Sequence, residues 1–364
     1  MTMGYILCKM YTYSKRMLMP AKKRKTSPAK SSDFSQIDVA KLAGVSQAAV
    51  SRVFTPGASV SEETRAKVMA AVKQLGYRPN VIARSLVQNS TNIIGLVVKR
   101  FTNPFYAHMI QEFTRALQEQ GYWTLVFNIS EKQELEEALP MALQYRVDGL
   151  IITSATLSSK LADECARSGT PVVSFNRYAT DGHSHMVCCD NFEGGRMVAD
   201  ALLDAGHKRI AFIAGEESSS TNRDREMGFT KRLEERGHGL DLRESAGDYD
   251  YELGYAAAER LLRRDDPPDA VFCANDLIAM GALDVARCKL GIKIPEELSI
   301  IGFDDIPAAG WPSYQLTTIR QPFGTLVDTT IQVLMEAINE PDSEIIKKVV
   351  TPTLIWRESA RRIG

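Results

Sequence analysis

At 364 residues, 44% hydrophobic and 24% charged with a formal net charge of -1, the chain has the composition of a soluble globular protein and the length for two or three domains. That excludes a fibrous or low-complexity chain, and no run of 18 apolar residues is present to span a bilayer. The charge is segregated: residues 1–90 hold 15 Lys or Arg against 4 Asp or Glu, and the remainder holds 29 against 41, so a basic head suited to a polyanion precedes an acidic body.

In chain order, residues 1–33 read as a flexible basic arm with AKKRKTSPAK at its end, either a source of phosphate attraction or a solvated leader. Residues 34–79 hold three short helices. Ser35 caps the first, with Asp38 as its acidic partner and Val39, Ala40 and Ala43 inward; Gly44 ends it. Ser46 caps the second, which turns Ala49, Val50 and Val53 inward, and TPGAS is a loop. The third starts at Ser61, runs over Val68, Val72 and Leu75, and stops at Gly76. Over residues 80–92, NVIARSL reads as a brief fourth helix, followed by a polar link.

From residue 93 to 359 the period changes to repeated strand and helix. Strands are expected over 93–98, 123–128, 148–152 and 171–175, with helices over 106–120, 131–145 and 161–168 between them. The rhythm restarts after residue 190 with strands at 209–214, 270–273 and 299–303. Such alternation specifies parallel sheets covered on both faces, here in two lobes with a crevice between their strand ends. Residues 360–364 read as a short tail.

A helix, a tight turn containing Gly and a second helix form a helix-turn-helix when the second helix exposes polar residues near its start. Ser46, Gln47, Ala48, Ser51 and Arg52 make that face. Gln47 has the paired donor and acceptor for adenine, Arg52 the fork for guanine, and Ala48 the small side chain that allows close approach. The serine hydroxyls suit phosphate oxygens. The structural alternative is a three-helix bundle with a solvated face, against which the charge segregation argues.

Four stretches, QIDVAKLAGVSQAAVSRVF, GYRPNVIARSL, DNFEGGRMVADALLDAGHKRIAFIAG and IGFDDIPAAGWPSYQLTTIRQP, resemble the signatures of the LacI/GalR family of ligand-responsive bacterial transcriptional regulators, over residues 34 to about 359. The resemblance implies an α/β two-lobed periplasmic-binding-protein-like effector module preceded by a small all-α helix-turn-helix head. It implies a homodimer on double-stranded near-palindromic operator DNA. Gln47 and Ala48 then match base-choosing positions, Arg52 a further base contact, and Ser46 and Ser51 phosphate neighbours. Asn80 to Leu86 matches a hinge helix, with Ala83 and Leu86 entering the minor groove; without the resemblance Leu86 would read as a core leucine. Two departures stand out. The usual apolar-then-polar order before Asp38 is reversed as Gln36 and Ile37, so Phe34 or Ile37 must fill the space differently, and Ala49 replaces a frequent Thr.

For the body, the resemblance implies a small-molecule effector, a sugar or sugar acid, bound between the lobes. Candidate contacts are Phe101, Phe105, Arg177, Arg196, Thr221, Arg225, Tyr249 and Asp276. Each has a structural alternative: Tyr249 as a packed loop lid, Asp276 as a helix cap, Arg177 or Arg225 as a surface ion pair, Arg196 as a brace at a helix start. Several arginines favour an anionic sugar, although neutral sugars accept Arg hydrogen bonds too. Asp190, Asn191, Asp304 and Asp305 read as crossover or lobe-bridging residues.

No HExxH, phosphate-loop or GxSxG pattern occurs, so neither catalysis nor a cofactor is expected. His183 and His185 beside Cys188 and Cys189 read as a loop and buried strand thiols rather than a metal site. The six cysteines lack a disulfide or zinc spacing, which suits a reduced cytoplasm and a nucleoid-associated protein. No heptad tail precedes Gly364, which favours a dimer over a tetramer. The competing readings are a sugar-binding or transport-type protein without gene regulation, for which the basic head has no use, and a two-lobed enzyme.

Overall fold

A computed structural model describes residues 34–55, 57–77, 90–99, 103–129, 135–153, 158–178, 184–341 and 343–362. The arm over 1–33, the hinge residues Asn80, Ala83 and Leu86, Phe101 and His183 lie outside the described residues. The chain divides into a head within residues 1–84 and a body within residues 85–364.

The head comprises α1 (Gln36–Ala43), α2 (Gln47–Val53) and α3 (Glu62–Leu75). Its helix starts follow from their caps. Ser35 Oγ accepts from the Asp38 amide while the Asp38 carboxylate accepts from the Ser35 amide at 2.9 Å, so two otherwise unpaired donors are satisfied reciprocally. Ser46 and Ser61 accept from the Ala49 and Thr64 amides in the same way. Gly44 closes α1 at φ 65°, left-handed backbone that a Cβ disfavours, and so turns the chain within three residues into α2.

The head core is built from small side chains, Val39, Ala40, Ala43, Val50, Val53, Val68 and Ala71, which let three short helices approach closely. Ala49 is only half-buried. Neither Phe34 nor Ile37 fills the space expected of them: they are 41% and 49% exposed. The physical reason is the pitch of α1, which turns Gln36 rather than Ile37 toward α2.

The first lobe contains β1 (Ile93–Lys99), α4 (Pro104–Glu119), β2 (Trp123–Ile129), α5 (Leu135–Gln144), β3 (Gly149–Ile152), α6 (Ser159–Arg167), β4 (Val172–Phe175) and β5 (His185–Cys189). Two later elements return to it, α11 (Phe323–Asn339) and β11 (Lys347–Val350). Its six strands lie in the order β11-β5-β4-β3-β1-β2, all parallel.

The second lobe contains α7 (Asn191–Asp204), β6 (Ile210–Ala214), α8 (Ser220–Glu235), β7 (Leu242–Ser245), α9 (Tyr251–Leu262), β8 (Ala270–Cys273), α10 (Asp276–Asp284), β9 (Ser299–Asp304), β10 (Thr317–Arg320) and β12 (Thr353–Ile355). Its order is β12-β10-β9-β8-β6-β7, with only the β10–β12 pair antiparallel. Central strands such as β6 (IAFIA) and β9 (SIIGFD) are buried throughout, as sheets covered on both faces require. The chain therefore crosses between lobes after β5, after β10 and after β11.

Two features depart from the expected organisation. The second lobe is not a simple continuation, because α11 and β11 complete the first. Residues 360 and 361 also do not trail away: Ala360 is buried, and the Arg361 amide donates to Ser299 Oγ at 3.0 Å, so they close the second lobe. At the other end of the body, Asp148 collects the Thr91 and Asn92 amides at 2.8 and 2.9 Å and the Ser90 hydroxyl at 2.6 Å, anchoring the end of the link to the first lobe.

Candidate DNA-reading face and inter-lobe crevice

On α2, Val50 and Val53 point into the head core, and this leaves Ser46, Gln47, Ala48, Ser51 and Arg52 exposed. Ser46 Oγ is already engaged as the cap at 3.2 Å from the Ala49 amide. Arg52 Nε donates to the Ala48 carbonyl at 3.4 Å, which lays the guanidinium along the helix. Gln47 Nε2 donates to Gln36 Oε1 at 3.5 Å. The exposed set combines one amide, one guanidinium and a methyl, the groups that distinguish base-pair edges in a major groove.

In the body, the sheet order reverses between β1 and β3 in the first lobe and between β6 and β8 in the second, and residues that follow β4 meet residues that follow β6. After β4, Arg177 is buried and donates through Nη1 to Glu216 Oε2 of the second lobe at 2.7 Å. Its guanidinium stands 5.6 Å from the Tyr249 ring centroid. Burial works against this charge, but Tyr106, Glu216 and Tyr249 outweigh it and raise the Arg177 pKa. Tyr249 Oη in turn lies 2.9 Å from Ser219 Oγ and 2.8 Å from Thr221 Oγ1. Gly215 is required beneath it, because a Cβ there would enter the Tyr249 ring.

Arg225 forms a second buried node. Its Nε donates to Asn191 Oδ1 at 2.8 Å, Nη1 to the Ala274 carbonyl at 2.6 Å and Nη2 to Asp304 Oδ1 at 3.2 Å, with the guanidinium 3.7 Å from the Phe303 ring centroid. Gln321 Nε2 donates to the same Asp304 oxygen at 2.8 Å. One cation thus links Asn191, at the first crossover, to Gln321, at the second.

Asp276 is fully buried beside this node. Thr318 Oγ1 donates to its Oδ1 at 2.5 Å and the Ile306 amide to its Oδ2 at 2.8 Å. Burial, then the neighbouring Asp304 charge, raise the Asp276 pKa well above the usual carboxylate range; Asp304 is raised as well, mainly by burial and despite Arg225. The helix cap is Asn275 instead, which accepts from the Ile278 amide at 3.0 Å.

The crevice also gathers strained and unpartnered groups. Asn176, Asp304 and Asp305 adopt φ of 67°, 120° and 56°, conformations that favour glycine and that concentrate at functional sites. Asn176 Oδ1, Arg177 Nε and Gln321 Oε1 are buried without a hydrogen-bond partner. Buried polar atoms are seldom left so, and these three would satisfy a polar ligand.

The structure thus gathers Arg177, Thr221, Arg225, Tyr249 and Asp276 from the predicted set. Phe105 is buried at the start of α4, 5.2 Å from Tyr106 and 5.0 Å from Phe323 between ring centroids. Arg196 does not join them. It donates to Glu235 at 2.9 Å, at the far end of α8, about 15 residues and so roughly 20 Å from the start of α8 where Thr221 sits. It braces α7 against α8. Residues that sequence reasoning missed include Tyr106, Asn176, Glu216, Ser219 and Gln321; each is a common polar residue at an element end, with no local pattern to single it out. Asp190 caps α7, Asn191 and Asp304 hold Arg225, and Asp305 pairs with Arg320 and Arg357 of its own lobe.

His185 Nδ1 accepts from the Ile346 amide at 3.2 Å, and Cys188 and Cys189 are buried in β5 with burial raising both thiol pKa values, Cys188 to about 12. Among the described residues no cluster of His, Cys, Asp or Glu could hold a metal ion, and no helix is long and apolar enough to cross a membrane.

Residues 91–350 match the family model described as periplasmic binding proteins and sugar binding domain of the LacI family, and residues 37–80 match that of bacterial regulatory proteins, lacI family. The chain is 35% identical over 326 residues to the ribose operon repressor of Escherichia coli K12, covering 89% of this chain and 98% of the relative. It is 35% identical over 329 residues to the HTH-type transcriptional repressor PurR of Pasteurella multocida Pm70, again covering 89% and 98%. In structure it is similar to the lac repressor dimer bound to operator and the anti-inducer ONPF, with TM-score 0.81, 26% identity and coverage of 90% of this chain and 98% of that one.

Proposed function

The chain belongs to the LacI/GalR family of transcriptional regulators, a sequence-specific DNA-binding protein controlled by a small-molecule effector, and from that premise we propose that it is a homodimeric repressor whose effector is a neutral, polyhydroxylated molecule of sugar size. The observation that carries the ligand class is the pairing of charges in the crevice. Arg177 has Glu216 and Arg225 has Asp304, each within salt-bridge distance, and Asp276 adds a further carboxyl group. Among the described residues, neither arginine is left as surplus positive charge for a sugar acid or phosphate. The arginines that argued for an anionic ligand in the sequence are neutralised, Arg177 by Glu216, which the sequence does not flag, and Arg225 by Asp304, which it marks only as a lobe-bridging residue. Asn176 Oδ1, Arg177 Nε and Gln321 Oε1 offer two acceptors and one donor, suited to hydroxyl groups. Tyr249, Tyr106 and Phe105 supply the apolar faces, and Phe101 belongs with them by resemblance.

In this reading Gln47, Ala48 and Arg52 choose bases, Ser46 and Ser51 lie near phosphates, and Asn80, Ala83 and Leu86 form the hinge contact to the minor groove. The effector acts because it has different affinities for the two lobe arrangements, and operator affinity must then change by the same factor. A thermal-shift panel of D-ribose, other neutral pentoses and hexoses, and D-gluconate, run with and without a palindromic duplex selected for binding, tests this. A neutral sugar should raise the melting temperature and shift the duplex titration. A response to gluconate alone would overturn the ligand class, and equal binding to random and selected duplexes at physiological salt would overturn specific operator binding.

A further inference from the structure

The first residues of α1 and α2 meet at the reading face. Gln36 is half-buried, Gln47 is exposed, and the Gln47 side-chain N–H is donated to Gln36 Oε1 across the turn. Both backbones are held where this contact is made. Gln36 follows Ser35, locked to Asp38 by bonds of 2.7 and 2.9 Å, and Gln47 follows Ser46, locked to the Ala49 amide at 3.2 Å. The reversed order of Gln36 and Ile37 thereby acquires a physical account: an apolar residue at position 36 has no acceptor for Gln47, while Ile37 faces outward.

We propose that Gln36 is a positioning residue for base recognition, fixing which way the Gln47 amide faces. A glutamine amide has two nearly equivalent orientations, differing in whether oxygen or nitrogen leads. Adenine accepts only one, with Oε1 receiving the N6 hydrogen and Nε2 donating to N7. Nε2 has two hydrogens; in the pairing seen here, at 3.5 Å, one is directed to Gln36 Oε1 and the second, together with Gln47 Oε1, is left for the base. Gln36 adds no affinity of its own in this scheme, and its effect is confined to the base pair under Gln47. The inference rests on the reading that α2 enters the major groove with Gln47 against a base edge.

The test is selection by the full-length protein from a duplex library with both half-sites randomised, followed by sequencing. It is repeated with Gln36→Leu, Gln47→Ala and the double variant, each checked for an unchanged helical melting profile. Gln36→Leu should relax the preference for A·T at one position per half-site by about tenfold and leave the other positions intact. In the Gln47→Ala background the same substitution should change nothing further. If Gln47→Ala loses one base preference while Gln36→Leu keeps it, or weakens every position equally, the positioning role is wrong and the reading of α2 stands. If Gln47→Ala alters no base preference, that reading fails and the inference with it. Should Gln36→Leu unfold the head, Gln36→Met supplies the same apolar replacement with an unbranched side chain.

Discussion

Tyr178 Oη, in the first lobe, donates its hydrogen to Asp224 Oδ2, in α8 of the second, at 2.6 Å. The Arg223 guanidinium reinforces the pair, donating to Tyr178 Oη at 3.1 Å and to Asp224 Oδ1 at 3.0 Å, and the Tyr178 amide donates to Ser220 Oγ at 3.2 Å. With the adjacent Arg177–Glu216 bond, two consecutive residues tie one lobe to the other. Partial burial and then Asp224 push the Tyr178 phenol up to about 12.

Tyr178→Phe removes this clasp and keeps the ring. A hydrogen bond to a charged group contributes about 1.5–3 kcal/mol, so the balance between closed and open lobes should shift by at least about tenfold. Spin labels placed one in each lobe should report a longer distance in the variant, and affinity for the neutral sugar identified by thermal shift should fall without loss of a ligand contact. Unchanged distance and affinity would reduce the clasp to a surface bond.

Glu216→Gln tests the charge balance of the crevice. The substitution keeps an acceptor for Arg177 but leaves its charge uncompensated, so affinity for D-gluconate should rise relative to the neutral sugar, by about tenfold for a desolvated pair. Calorimetric titrations of both ligands with both proteins give the ratio directly. An unchanged ratio would place the ligand away from Arg177.

Much of this was legible in the sequence because local chemistry dictated it. Ser35, Ser46, Ser61 and Gly44 act within four residues, and continuous apolar runs such as IAFIA cannot avoid the middle of a sheet. Edge strands were less visible: β7 (LRES) and β11 (KKVV) contain exposed polar residues and have no buried run to mark them. The crevice was legible only in part, for a related reason. Arg225 and Asp276 stand in recognisable motifs, but what Arg225 does depends on Asn191, Asp304 and Gln321, up to 96 positions away in the chain, and Arg196 looks equivalent to it until the length of α8 separates them.

Two histidines, His207 buried and His185 half-buried, set an acid limit on stability. His185 accepts from the Ile346 amide, and Arg361 Nη2 lies 2.8 Å from His207 Nδ1. Burial lowers both pKa values below the ordinary 6.5; at His207 the Arg361 charge adds to this, and together they outweigh Asp269 at 3.3 Å. The folded protein therefore binds fewer protons than the unfolded chain. Its stability from these groups is complete above about pH 6.5 and is lost as pH falls through the lowered folded values. The melting temperature should decline on acidification from pH 6.5, and the double variant His185→Gln, His207→Gln should lose most of that slope.

Asp148 offers a way to separate ligand binding from its transmission. Its carboxylate receives the Thr91 and Asn92 amides and the Ser90 and Thr91 hydroxyls, all within 2.9 Å, and so holds the segment through which the body continues toward the hinge. Asp148→Ala leaves two amides without their acceptor and should lower the stability of the body by about 2–3 kcal/mol, measured by urea unfolding. Asp148 lies at the start of β3, whereas the crevice is formed at the other, C-terminal ends of the strands, so effector affinity of the isolated protein should stay within about twofold. What should fall is the coupling: the factor by which the neutral sugar changes operator affinity declines because the lobe movement reaches residues 90–92 less rigidly. Duplex titrations with and without the sugar measure that factor in both proteins. An equal factor would mean that the hinge senses the lobes by another route, and a parallel loss of sugar affinity would mean that the substitution distorts the first lobe as a whole.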